Sequence, residues 1–125
     1  MRKGLRLEEL AVYKVAMEIG ELVWNVVDKW EYFPKKTLGT QYTTAADSIA
    51  LNISEGYGRF HYKENKNFCY YSRGSAKETF TITVKARARN LISEEDFTIL
   101  SQKLETYFRL IFGYIQSIGT ARNDE

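Results

Sequence analysis

Proline, cysteine and histidine each occur once in the 125 residues. No window approaches the roughly 18 consecutive apolar residues of a membrane span. Each scarcity excludes something. A lone cysteine, Cys69, rules out an intramolecular disulfide, and without a CxxC or Cys/His cluster there is no zinc-site spacing and no metal is expected. A lone histidine, His61, in a turn, leaves no histidine-based catalytic pair and reads as a surface residue. A single proline, Pro34, favours long uninterrupted elements, hence helices. The basic start "MRKGLRLEEL" is not followed by the apolar stretch of a secretory leader, so the expected setting is the cytoplasm, away from membranes.

What is present is ordinary in amount and uneven in placement. Apolar residues make up 44% and charged residues 27%, the proportions of one globular domain. Net charge is only +2, yet residues 59 to 89 hold eight Lys/Arg against two Asp/Glu, while both flanking segments are net acidic. The positive charge is confined to one stretch of chain.

Four helical patterns follow one another. Over about residues 7 to 30, Val12, Val15, Ala16, Ile19, Val23, Val26, Val27 and Trp30 share one face, opposite Lys14, Glu18, Glu21, Asn25 and Asp28. "EYFPKKTLG" then reads as a loop, broken by Pro34 and Gly39. A second helix, about 40 to 57, lines up Leu38, Tyr42, Ala45, Ala46, Ile49, Ile53 and Tyr57, with Gly56 and Gly58 expected to cap its end. The third, about 62 to 90, would be some 43 Å long. It carries a line of mostly small residues, Phe68, Ser72, Ser75, Ala76, Thr79, Thr83 and Ala86, that would admit a close neighbour. The β-branched "TFTITV" within it could argue for a strand, but helical pattern flanks it on both sides. Ser93 followed by Glu94, Glu95 and Asp96 marks the start of a fourth helix, about 94 to 118, with an apolar face from Phe97 to Ile118 and a frayed tail from Gly119. The economical arrangement is all-α, an antiparallel up-down-up-down four-helix bundle occupying residues 1 to 125 as one domain.

Chemistry-bearing constellations are few. There is no Walker A sequence, no HExxH and no GxSxG. Cys69 has Lys66 and Arg73 nearby in sequence, but on other helical angles, so it reads as a buried structural thiol. "GYGRF" leaves a helix rather than entering one from a strand, which favours a cap and turn over a phosphate loop. An enzyme is not expected, nor a cofactor.

Two polar features remain. Gln41, Ser48, Asn52, Glu55 and Arg59 form a stripe beside the apolar line of the second helix, expected to be a hydrogen-bonded seam fixing helix register or subunit contact, with Glu55 and Arg59 paired. On the third helix Lys63, Lys66, Tyr70, Arg73 and Lys77 recur every three or four residues, and Lys85, Arg87 and Arg89 extend the charge while diverging around the axis. The stripe spans about 21 Å, long enough to meet successive nucleic-acid phosphates; the plainer alternative is a solvated outer face. Eighteen aromatic residues exceed what one thin core requires, and Tyr13, Trp24, Tyr32 and Tyr71 fall outside its stripes. They mark either an interface or a wider core.

The segments "LRLEELAVYKVA", "YFP", "QYTTAADSIALNISEGYGR" and "FCYYSRGSAKE" together resemble the bacterial four-helix-bundle proteins first noticed as products of intervening sequences in large-subunit ribosomal RNA genes. The resemblance implies a homopentameric ring and kinship with the accessory protein that serves the reverse transcriptase of diversity-generating retroelements, a relative thought to bind nucleic acid through a basic surface. It implies no enzyme activity. Where that family usually places leucines after the "GS", this chain has Ala76 and Thr79, which implies a differently packed third helix. The functional expectation is an oligomeric adaptor for RNA or a DNA/RNA hybrid, contacting it through the third helix. A protein-protein scaffold, holding a partner such as a reverse transcriptase, is the alternative.

Overall fold

Four long helices carry the chain: α1 (Ala11–Asp28), α2 (Thr40–Tyr57), α3 (Tyr62–Ala88) and α4 (Glu94–Thr120). The computed structural model describes residues 6–120, omitting the side chains of 119 and 120. Among the described residues there is no strand. Each apolar line read from the sequence is turned inward. Ile19, Val23, Tyr42, Ile49, Ile53, Leu100, Leu104, Tyr107 and Ile111 are essentially sealed from solvent. Burying a side chain of this size contributes about 1.5–3 kcal/mol.

Residue pairs fix the directions. Gly20 lies against Asp47 and Gly39 against Val27, so α1 and α2 run antiparallel. Tyr42 meets Thr83, and Ser72 meets Ile49, so α2 and α3 do too. Ser72 meets Tyr107, and Arg87 meets Glu94 across the next turn. Trp30 closes the set, its indole N–H donating to the Leu91 carbonyl at 2.6 Å and tying the end of α1 to the α3–α4 turn. The result is a four-helix bundle in which each helix touches its sequence neighbours and α1 also packs on α4.

The small-residue line of α3 does what its composition permits. Ser72, Ala76, Thr79, Thr83 and Ala86 are all buried, and α2 and α3 make the most extensive contact in the bundle. Ala76 and Thr79 are wholly buried core positions here. "TFTITV" is helical; the Thr79 and Thr83 hydroxyls each donate 2.8 Å bonds to carbonyls one turn back, which satisfies them inside the core.

Several local expectations need correcting. The first helix begins later than residue 7: Leu7–Glu9 is a 3-10 turn, and extended Leu10 separates it from α1 while sinking its own side chain into the core. The "EYFPKKTLG" segment is not a loop. Tyr32–Pro34 forms a helical turn, Lys35–Gly39 a π-helical stretch, and the two run straight into α2. Pro34 sits in the first turn, where an amide has no intrahelical acceptor, so its missing N–H breaks nothing.

Gly39 and Gly56 are not breakers or caps either. A Cβ on Gly39 would stand 2.8 Å from Val27, and one on Gly56 would stand 2.8 Å from the Phe68 Cβ and 3.0 Å from the Asn65 carbonyl oxygen. Gly56 lets the α2 and α3 backbones approach, and Gly39 makes room for the Val27 side chain. α3 ends earlier than residue 90, with Asn90 in the left-handed region at φ 60° and Leu91 N–H donating to the Ala86 carbonyl at 2.8 Å. That is a Schellman closure. Ser93 caps α4 by accepting the Asp96 N–H at 3.0 Å. α4 continues to Thr120, and the rest of the expected tail, residues 121–125, lies outside the described residues.

Candidate nucleic-acid interface

Because α3 buries Asn65, Cys69, Ser72, Ala76, Thr79, Ile82, Thr83 and Ala86, its outward face is assigned by default. Lys63, Lys66, Tyr70, Arg73 and Lys77 lie along that outer surface. Lys63 and Lys77 are exposed, Lys66 and Arg73 half-buried along their stems, and the Arg73 guanidinium stacks 5.0 Å from the centroid of the Tyr70 ring. Among the described residues, Lys63, Lys66, Arg73, Lys77, Lys85 and Arg89 enter no ion pair. Their charge is uncompensated among the described residues.

Arg87 is different. It pairs with Glu94, and its guanidinium lies 4.3 Å from the Phe97 ring centroid, latching α3 to α4 across the turn. The structure therefore withdraws it from the basic group that the sequence suggested. Arg59 is also engaged, bound to Glu55 at 2.6 Å and stacked 4.9 Å from the Phe68 centroid.

Among the described residues the hydrogen bonds of the α2 polar stripe stay on their own helix, and only Arg59 reaches α3, through Phe68. Ser48 donates to the Thr44 carbonyl at 2.8 Å and Asn52 to the Ser48 carbonyl at 2.9 Å, both one turn back on their own helix. Gln41 and Glu55 are exposed and Ser48 and Asn52 half-buried. The register-fixing contacts lie one residue over, on the buried line: Tyr42 to Thr83 at 2.6 Å and the Ile49 carbonyl to Ser72 at 2.8 Å. Cys69 is sealed in the core, and burial pushes its thiol up to about 12, which leaves it inert. His61 caps nothing with its side chain and stands exposed at the start of α3.

Two surface features escaped the sequence reading. Between α3 and α4 an open trough of about 730 Å³ is lined by Phe80, Leu104, Phe108 and Phe112, with Ser101, Glu105 and Arg109 beside them. A second hollow of about 630 Å³ shares Phe80, Phe108 and Phe112 and reaches Arg73 and Lys77. The signal was present: Phe80 and Phe112 fall off the buried lines of their helices, at the edge facing the same gap.

On the opposite side, α1 and α2 form a smaller hollow of about 310 Å³ with Met17, Leu51, Glu21 and Asp47 in its lining. Burial, with repulsion from Glu21 second, holds the Asp47 carboxyl above the usual carboxylate range. The α3–α4 side is apolar with Arg73, Lys77 and Arg109 around one acid, Glu105, and the α1–α2 side is apolar with Glu21 and Asp47. Of the four aromatics that fell outside the core stripes, Tyr13 packs against the core, whereas Trp24, Tyr32 and Tyr71 are exposed.

Fold and surface together define a class: a four-helix bundle whose third helix carries a basic face without ion-pair partners among the described residues. No helix among the described residues is long and apolar enough to cross a membrane. The family model for the 23S rRNA-intervening sequence protein matches residues 8–113, and the chain belongs to that family. Its fold is similar to the crystal structure of a protein of unknown function from the S23 ribosomal protein family of Bacteroides thetaiotaomicron. The TM-score is 0.76 at 17% identity, over 84% of this chain and 98% of the other. No curated protein matches the chain.

Proposed function

We propose that this protein is a non-enzymatic, oligomeric adaptor that binds RNA or a DNA/RNA hybrid through the outer face of α3. The observation that carries the reading is the row Lys63, Lys66, Arg73 and Lys77, four cations on one helix face with no ion-pair partner among the described residues. Phosphates supply the missing counter-charge, and counterion release supplies the free energy. Lys85 and Arg89 extend the contact. The family's association with intervening sequences of 23S rRNA supports a nucleic-acid setting.

The oligomer is supported by the two unlike sides of the bundle. The α3–α4 trough, apolar with Arg109 at its wall, and the apolar, acidic α1–α2 hollow are complementary to each other rather than to themselves, and a contact between them leaves Lys63 and Lys66 clear for phosphates. Contacts of that head-to-tail kind generate rings where the rotation closes, and the family resemblance supports closure at five members. A ring repeats the basic face around its rim and multiplies weak phosphate contacts through effective concentration. The same trough favours the second reading, a scaffold that holds a protein partner such as a reverse transcriptase.

Electrophoretic mobility shift of labelled RNA, over a salt series, tests the first reading. Lys63→Glu with Lys66→Glu, both clear of the trough, should weaken binding at least about tenfold at low salt and flatten the salt dependence. The oligomer mass should stay unchanged. No shift at low salt with wild-type protein overturns it.

A further inference from the structure

We infer that the α3 face is built for unpaired nucleotides, with Phe60 and Tyr70 as stacking platforms, an inference that rests on the nucleic-acid reading above. Phe60 is 89% exposed, the most exposed large apolar side chain among the described residues. It stands in the short turn between α2 and α3, just ahead of the first lysine of the stripe. His61 lies edge-on to it at 5.1 Å, which leaves a ring face open. Its other neighbour, Arg59, does not cover it, because the guanidinium is held by Glu55 and lies over Phe68 instead.

The aromatic character continues along the helix. Tyr70 is 42% exposed and is flanked one turn away by Lys66 and Arg73, with the Arg73 guanidinium stacked on it. Tyr71, 57% exposed, is held edge-on by Phe68 at 5.3 Å. Rings and cations are therefore interleaved from Phe60 through Lys63, Lys66 and Tyr70 to Arg73. That interleaving matches a single strand, whose bases offer open faces to aromatic rings while its phosphates meet the cations. A duplex hides its base faces in the stack, so it can use the cations but not the rings. The charge row alone would not distinguish the two.

Fluorescence anisotropy decides it, with a 20-nucleotide oligouridylate and a 20-base-pair RNA duplex as probes at the same low salt. The single strand should bind at least about tenfold more tightly. Phe60→Ala and Tyr70→Ala should each weaken the single strand by roughly five-fold or more while leaving duplex binding unchanged. Phe60→Tyr should retain wild-type affinity. Both side chains are exposed, and circular dichroism and oligomer mass confirm that the variants fold. Equal binding of both probes, or wild-type affinity in both alanine variants, overturns the inference while the Lys63 and Lys66 dependence leaves the broader reading standing. No binding of either probe by wild-type protein overturns both.

Discussion

The hydroxyls of Ser72 and Tyr107 lie 2.6 Å apart in the sealed centre of the bundle. Ser72 spends its own hydrogen on the Ile49 carbonyl, 2.8 Å away, so Tyr107 must be the donor between them. One short relay thus ties α4 to α3 and α3 to α2. A second repeats the logic: Thr83 donates to the Thr79 carbonyl, and Tyr42 of α2 donates to Thr83. Tyr107→Phe removes the first donor but leaves Ser72 bonded, and should cost about 1 kcal/mol. Ser72→Ala strands the Tyr107 hydroxyl in the core and should cost about 1–3 kcal/mol. In the double variant nothing is stranded, so urea melts at fixed protomer concentration should show less than the sum. Additive losses would show that the two hydroxyls are not coupled.

Gly56 and Gly74 make a second pair of opposed expectations. Both are helical, and alanine in a helix is favoured over glycine by about 1 kcal/mol. Around Gly74 a new Cβ meets nothing within 4 Å, so Gly74→Ala should raise stability by up to about 1 kcal/mol. At Gly56 the same Cβ would come 2.8 Å from the Phe68 Cβ and 3.0 Å from the Asn65 carbonyl oxygen, neither the mobile end of a side chain. α2 and α3 would have to separate, and Gly56→Ala should lose about 1–3 kcal/mol. Thermal melts that rank the two variants the other way would remove the close-approach role of Gly56.

These glycines show where sequence pattern stops. The apolar lines of α1, α2 and α4 and the small-residue line of α3 were legible because burial of one face repeats with the helical period. Ser93 was legible because its side chain acts on its own helix. Gly39, Gly56 and Pro34 were misread because each is explained by a neighbouring segment or by position within a turn, neither of which periodicity encodes. The same holds for the surface. Spacing put five residues of the basic stripe on one face, yet only tertiary contact shows Arg87 spent on Glu94, and only the helix pairing leaves Phe80 and Phe112 facing one open trough.

Alkaline pH should unfold the bundle earlier than the surface charges alone would. Burial pushes Cys69 up from its ordinary 9.0 to about 12 and Tyr42 from 10.0 to about 12, and it moves Tyr107 in the same direction. The folded chain keeps these groups protonated while the unfolded chain releases their protons, so stability is whole below pH 9 and falls as pH rises toward 12. Each group contributes about 1.4 kcal/mol per pH unit over its window. Cys69→Ala removes the earliest titration. Its urea midpoint should hold level to about pH 10 where the wild type has already begun to fall; parallel profiles would contradict this.

Phe112 offers the sharpest test of assembly. Its side chain is 60% exposed and borders both hollows of the α3–α4 trough, so a single chain gains little from it. A neighbouring subunit seated there would bury it, and a fully buried phenylalanine contributes about 1.5–3 kcal/mol. Phe112→Glu should therefore leave the helical circular dichroism intact while shifting the mass measured by light scattering from oligomer to monomer. Glu21→Arg, on the acidic α1–α2 face, should weaken the same assembly, because it sets cation against cation across a head-to-tail contact. Phe112→Glu keeping the wild-type mass would exclude the trough as the subunit contact, and a monomeric wild type would exclude the ring.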